Sequence, residues 1–258
     1  MTNSATRTWL SRLAIEGLVI VVSILMAFGI EAWWASAQDR EREVAYLEQL
    51  ESDLEGTLQN NARFSALAEA SEAATAKLFR SYYEASPPDP DSVEAWWTEL
   101  GSWVVQPRLG TVQALVATGD LELIRDDSLR VAISSYLTEM IAFEGFEARG
   151  SELAGDAREG LTRFVDPVAL EIGSLSMAQR DSIAQADVWS PFPTGQLRDL
   201  QSVDLITVVR NDEVHRLFGL MRQAQGVMRT FRNLMRAQSE SLLTQVRRAR
   251  MGYDSGPH

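Results

Sequence analysis

Apolar residues recur every three or four positions along most of this chain, and the most regular run is the last. Val214, Leu217, Met221, Ala224, Met228, Phe231, Met235, Gln238 and Leu242 alternate steps of three and four without a miss, Gln238 being the polar exception. That spacing marks the inner seam of a helix in a bundle or coiled coil. Asn211, Asp212 and Glu213 precede it and offer the capping oxygens and acids that favour a helix start, so a long helix is predicted over about 212–250. A second face runs through Leu47, Leu50, Leu54 and Leu58, continues with Leu67, Ala74 and Leu78, and predicts a helix over about 36–85. A third runs through Leu129, Ile133, Tyr136, Met140 and Phe143 behind the capping run Asp126-Asp127-Ser128, and predicts a helix over about 126–164. Period-two alternation of strand length is lacking.

Glycine and proline set the breaks. No proline precedes Pro87, and Gly56 is the only glycine between Trp34 and Ala85, so the first long helix should run with little interruption, about 60 Å from Val44 to Ala85. Ser86 to Asp91 carries three prolines and ends it. The stretches 86–110 and 165–194 read as loops. A short helix around Trp96 and Trp97 interrupts the first, and one near Ser176–Ala184 the second. Thr111 to Thr118 reads as a short helix stopped by Gly119, and Ser202 as the cap of another. Gly145, Gly150, Gly155 and Gly160 recur every five residues, which makes no single helical face. They predict a bent or weakened helix, because each costs about 1 kcal/mol against alanine.

The N-terminal pattern is of another kind. Gly17 to Ile30 is fourteen residues without a charge, and Arg12 to Glu31 spans about 28 Å of helix, close to the thickness of a bilayer's hydrocarbon core. Trp9 lies near one end and Trp33 and Trp34 at the other, as interfacial anchors do. A cleaved signal peptide is the rival reading, with Arg7 and Arg12 as its basic end and Ala35-Ser36-Ala37 as its cleavage site. Glu31, Trp33 and Trp34 between core and site suit signal peptidase poorly, so a retained anchor is expected. A buried helix of a soluble protein is the third option. Arg7, Arg12 and the free amine on the near side favour an N-terminus in the cytoplasm. The helix carries one distinctive stripe: Arg12, Glu16, Ser23, Ala27 and Glu31 fall within about 100° of one another. Arg12 and Glu16 can pair and snorkel at one interface while Glu31 reaches the other. Alternatively, small Ser23 and Ala27 can admit a partner helix.

These readings make the chain all-α: a single N-terminal transmembrane helix continuing into an elongated antiparallel helical bundle. The expected division is a cytoplasmic tail at 1–8, an anchor at 9–35, a bundle at 36–250 and a flexible tail at 251–258. Composition narrows the chemistry. The 258 residues include no cysteine and two histidines, His215 and His258, which removes thiolate chemistry and most zinc and His-based acid–base sites. Walker, GxGxxG, GxSxG and HExxH patterns are lacking. The pair Asp212-x-x-His215 is a weak metal motif, and His215 is expected on a helix surface. The net charge of −12 divides into 0 for residues 1–35, −17 for 36–204 and +5 for 205–258. The basic last helix then offsets acids on its neighbours, and no nucleic-acid partner is expected.

Glu16 to Glu55, EGLVIVVSILMAFGIEAWW followed by REREVAYLEQLESDLE, resembles the start of a family of uncharacterised bacterial proteins with one N-terminal membrane helix. Thr111 to Leu137, TVQALVATGDLELIRDDSLRVAISSYL, is similar to that family's middle stretch. The resemblance implies a membrane-tethered helical domain and transfers no active site. The functional expectation is a non-enzymatic scaffold or interaction subunit of the bacterial inner membrane, with the bulk periplasmic and no cofactor. Its partners would be the bilayer and, through the anchor, a second copy or another membrane protein. The alternative is a sensory or proton-motive-force-coupled single-pass subunit that uses Glu16.

Overall fold

The computed structural model describes residues 3–166 and 204–254, with side chains described for residues 18, 20–166 and 204–253. Every regular element among them is helical: α1 (Asn3–Ser81), α2 (Pro90–Thr98), α3 (Gly110–Thr118), a single-turn 3-10 helix (Asp120–Leu123), α4 (Asp127–Leu161), α5 (Leu205–Val209) and α6 (Asp212–Asp254). The protein is all-α, and its long apolar N-terminal helix continues into a helical bundle. The chain forms two compact units. One holds Met1–Asp53, Leu109–Ser134 and Leu242–His258; the other holds Leu54–Arg108 and Ser135–Ser241.

The first unit buries Leu47 and Leu50 of α1, Val112 and Leu115 of α3, Ile124 just after the 3-10 helix, Leu129 and Ile133 in the first turns of α4, and Leu242 and Val246 of α6. In it α6 runs antiparallel to α1: Arg247 and Arg250 reach Glu51 at 2.8 and 2.5 Å, and Tyr253 reaches Glu43. The start of α3 has no capping side chain of its own. Asp53 of α1 supplies it instead, accepting from the Thr111 amide at 3.1 Å and its hydroxyl at 2.6 Å. Gly119 closes α3 with φ +80°, the left-handed conformation that glycine adopts without a Cβ penalty. Asp126 caps α4, accepting from the amides of Ser128 and Leu129.

In the second unit the rest of α1, α4 and α6 pack side by side, with α2 and α5 across one end. Leu78, Val93, Leu161, Val209, Val214, Phe218 and Met221 form its main apolar cluster, and Ala154, Ala224 and Met228 a smaller one. Again α6 runs antiparallel to α1, since Asn61 bonds the Arg232 carbonyl while Tyr82 bonds Asp212. Asp89 caps α2 and Pro90 opens it, where a missing amide hydrogen costs nothing.

Several boundaries differ from the sequence reading. Helix α1 stops at Ser81 rather than 85, in a turn closed by the Tyr83 amide on the Arg80 carbonyl. Asp204, not Ser202, caps α5 through Thr207, and Ser202 lies outside the described residues. The predicted helix near 176–184 lies outside them too. Helix α6 continues to Asp254, past the expected end at 250, and Tyr253 bonds Glu43 from that last turn. Helix α4 runs unbroken through its four glycines. Gly150 and Gly160 sit where a Cβ would come within 2.7 Å of Met228 and 2.8 Å of Leu217, whereas Gly145 and Gly155 face open space. The five-residue recurrence therefore mixes two close helix approaches with two solvent positions.

Candidate membrane segment and buried polar groups

Two regions carry the functional signal, one in each unit. The first is the apolar stretch of α1. Leu18, Phe28, Trp33 and Trp34 are 62%, 63%, 69% and 67% exposed, and their apolar neighbours from Ile20 to Ile30 are exposed as well. This helix is long and apolar enough to cross a membrane, and no part of the window that qualifies it is buried. A contiguous apolar surface of that size on a water-facing helix is strongly unfavourable, at about 25 cal/mol per Å².

The predicted stripe falls on this helix. Ser23, Ala27 and Glu31, one turn apart, are exposed. Trp9, Arg12 and Glu16 lie within α1, and their side chains fall outside the described set. The first buried residue beyond the stretch is Glu43, 2% exposed, which accepts from the Arg125 amide at 2.8 Å and from the Tyr253 hydroxyl, with Arg125 Nε at 3.5 Å. Burial, then the bond to Glu43, pushes the Tyr253 phenol up to about 12. One turn along α1, Tyr46 donates to Asp120 at 2.6 Å, which raises the phenol and lowers the carboxyl.

The second region is the polar interior of the other unit. Along α6, Val214, Leu217, Met221, Met228 and Met235 are buried, and so is Leu242 in the first unit. Phe231 is only half-buried, because it turns out to stack on Phe146 with centroids 4.7 Å apart. Beside that seam runs a second column at steps of seven, Phe218, Gln225, Arg232 and Ser239, all buried. Its three polar members meet polar partners. Gln225 donates to Thr75 at 3.0 Å and Ser71 at 3.3 Å. Arg232 reaches Glu72 at 2.7 Å, with Arg229 at 2.9 Å from the same carboxylate. Ser239 pairs with Tyr136 at 3.0 Å.

The connection between α2 and α3 is tied into this interior. Ser71 Oγ accepts from the Gly101 amide at 2.8 Å and donates to the Gly101 carbonyl at 2.9 Å. The Val105 amide donates to Glu147 Oε1 at 3.1 Å, and the Arg108 amide to Thr57 at 2.8 Å. Glu147 is fully buried, and its second oxygen has no partner among the described residues. Burial pushes its carboxyl up to about 7, against the pull of the Val105 amide and Arg232.

His215 is not the plain surface residue that the sequence reading expects. Its ring lies between Phe79 and Tyr82, both centroids at 4.2 Å, and Tyr83 Oη sits 2.9 Å from Nε2. Asp212 accepts from the Tyr82 hydroxyl at 2.6 Å, so the two residues of the weak metal motif serve an aromatic cluster. Among the described residues no group of three His, Asp or Glu side chains is placed to hold a metal.

The sequence reading missed the polar column of α6 and the polar stretch of the α1 seam, Thr57, Asn61, Ser71 and Thr75. It followed leucines at those points instead. Leu67, assigned there to the inner face, is 41% exposed, and Leu58 is only half-buried. The signal was in the register: Leu47, Leu50 and Leu54 extended in steps of three and four arrive at Thr57, Asn61, Ser71 and Thr75. No family model matches this chain, and no curated protein or solved structure is significantly similar to it.

Proposed function

We propose that the protein is a membrane-anchored, non-enzymatic helical scaffold or interaction subunit of the bacterial inner membrane. On this reading its N-terminus is cytoplasmic and its bundle periplasmic. The observation that carries the proposal is the apolar stretch of α1: uncovered by the other described residues, of membrane-spanning length, and continuous with a helix that buries Glu43, Leu47 and Leu50 in its next turns. The polar groups of the interior support a structural role, since most bond to one another or to backbone. The partner is a second copy of the chain or another membrane protein, met along Ser23, Ala27 and Glu31.

The cysteine-free sequence allows a direct test, because single cysteines carry no background. In intact cells a membrane-impermeant maleimide should label S86C and not S4C. Labelling of S4C alone reverses the orientation, and release of the protein by alkaline carbonate removes the anchor. Purification in mild detergent should bring down an oligomer or a companion protein, and a lone monomer overturns the scaffold reading. Loss of cellular function in E16Q with assembly intact would instead favour the proton-coupled alternative.

A further inference from the structure

The segment from Leu100 to Arg108 is a strap pinned at three points: Gly101 on Ser71, Val105 on Glu147 and Arg108 on Thr57. The outer two pins are hydroxyls, which keep their protons at any physiological pH. The middle pin is a carboxyl. We propose that Glu147 is a proton-operated latch, which holds the strap against α4 while it carries its proton and loosens it when the proton leaves.

The geometry supports this in three ways. Glu147 is fully buried, so its charged form is cut off from bulk water. A buried carboxylate needs two or three donors, and the structure gives it one, the Val105 amide at 3.1 Å. Its second oxygen has no partner among the described residues. The neutral acid can still accept from Val105 through its carbonyl oxygen, so the pin survives protonation.

The neighbouring charges do not rescue the ionised form. Arg232 of α6 pulls towards ionisation but is bound to Glu72 of α1 at 2.7 Å, and Arg229 is bound to the same carboxylate. Glu144, on α4 itself, opposes ionisation, and Arg149 lies over the Phe146 ring at 5.8 Å. On the strap, Arg108 places its guanidinium on Gly56 of α1. The relief open to a charged Glu147 is water, and lifting the strap admits it.

The sign follows from linkage. The carboxyl is held up to about 7 with the strap closed and returns towards its ordinary 4.5 once hydrated. The closed form therefore binds more protons between those values, and opening is favoured as pH rises. The opening equilibrium should climb about tenfold per pH unit across that window and level off above it.

Hydrogen exchange on the full chain in detergent, followed by mass spectrometry at pH 5 to 8 and corrected for intrinsic rates, tests this. Amides of residues 100–108 should lose roughly fortyfold in protection from pH 5 to pH 7 and about twofold more by pH 8, while the α4 and α6 amides of the same unit hold. E147Q, which keeps the acceptor and cannot ionise, should give a flat profile. The proposal is overturned by a strap whose protection ignores pH, by an equal loss in every helix, or by an E147Q profile that matches the wild type. If E147Q does not fold, the wild-type strap profile decides alone.

Discussion

Tyr253, in the last turn of α6, donates its hydroxyl to Glu43, the first buried residue of α1 beyond the apolar stretch. The bond ties the C-terminal end of one helix to the other. Y253F should cost about 1–2 kcal/mol, because it leaves a buried carboxylate short of a donor. Chemical denaturation measures the loss, and hydrogen exchange should place the fraying at residues 247–254. The phenol is held up to about 12 against an ordinary 10, so the folded state binds more protons between those values. Its contribution is complete below pH 10 and fades as pH rises towards 12. Tyrosinate absorbance during an alkaline titration should lose a late component in Y253F, while the phenols that Tyr46 and Tyr82 bond to carboxylates keep their own raised steps.

The Arg232–Glu72 pair is almost fully enclosed, and the Arg247–Glu51 pair has its arginine 45% exposed. R232A should therefore destabilise by about 1–3 kcal/mol, since it takes one charged donor from the enclosed Glu72 carboxylate and leaves it the more exposed Arg229 alone, and R247A by no more than about 1 kcal/mol. The double substitution R232M/E72M should recover most of the larger loss, because it removes both desolvation costs. Urea midpoints for the three variants check the order.

The four glycines of α4 should divide in two. G145A and G155A face open space and should stabilise by about 0.5–1 kcal/mol through helix propensity. G150A places a methyl 2.7 Å from the Met228 Cγ and should destabilise. Thermal melts of the single variants would show shifts of opposite sign.

Under the proposed anchoring, A27L should weaken association through the stripe, and L25I, on another face of the same helix, should leave it unchanged. Cross-linking yield or sedimentation in detergent reads the difference. Equal behaviour of the two variants would exclude Ala27 from the contact.

The fold was legible because three runs of apolar residues carry helical spacing and proline marks the main breaks. The polar interior was not, since a heptad position filled by Thr57, Asn61, Gln225 or Arg232 leaves no trace in a hydrophobic pattern. Such residues can be placed only by extending the register through them. The strap was hidden for a different reason. Its pins join residues far apart in sequence, such as Val105 to Glu147 and Gly101 to Ser71, and neither pair has a spacing that local periodicity can detect. Helix ends were missed by a turn where a distant group decided them, as Tyr253 on Glu43 does.

Helix α1 has neither glycine nor proline from Ile30 to Glu55, and only nine helical steps, about 14 Å, lead from Trp34 to Glu43. The chain therefore has no swivel where it leaves the apolar stretch. In a bilayer, a change of thickness that tilts the stretch acts on a rigid lever, and the packed turns from Glu43 onward must lean with it. A fluorophore at the base of the first unit would then report lipid chain length, as a needle reports the position of its shaft.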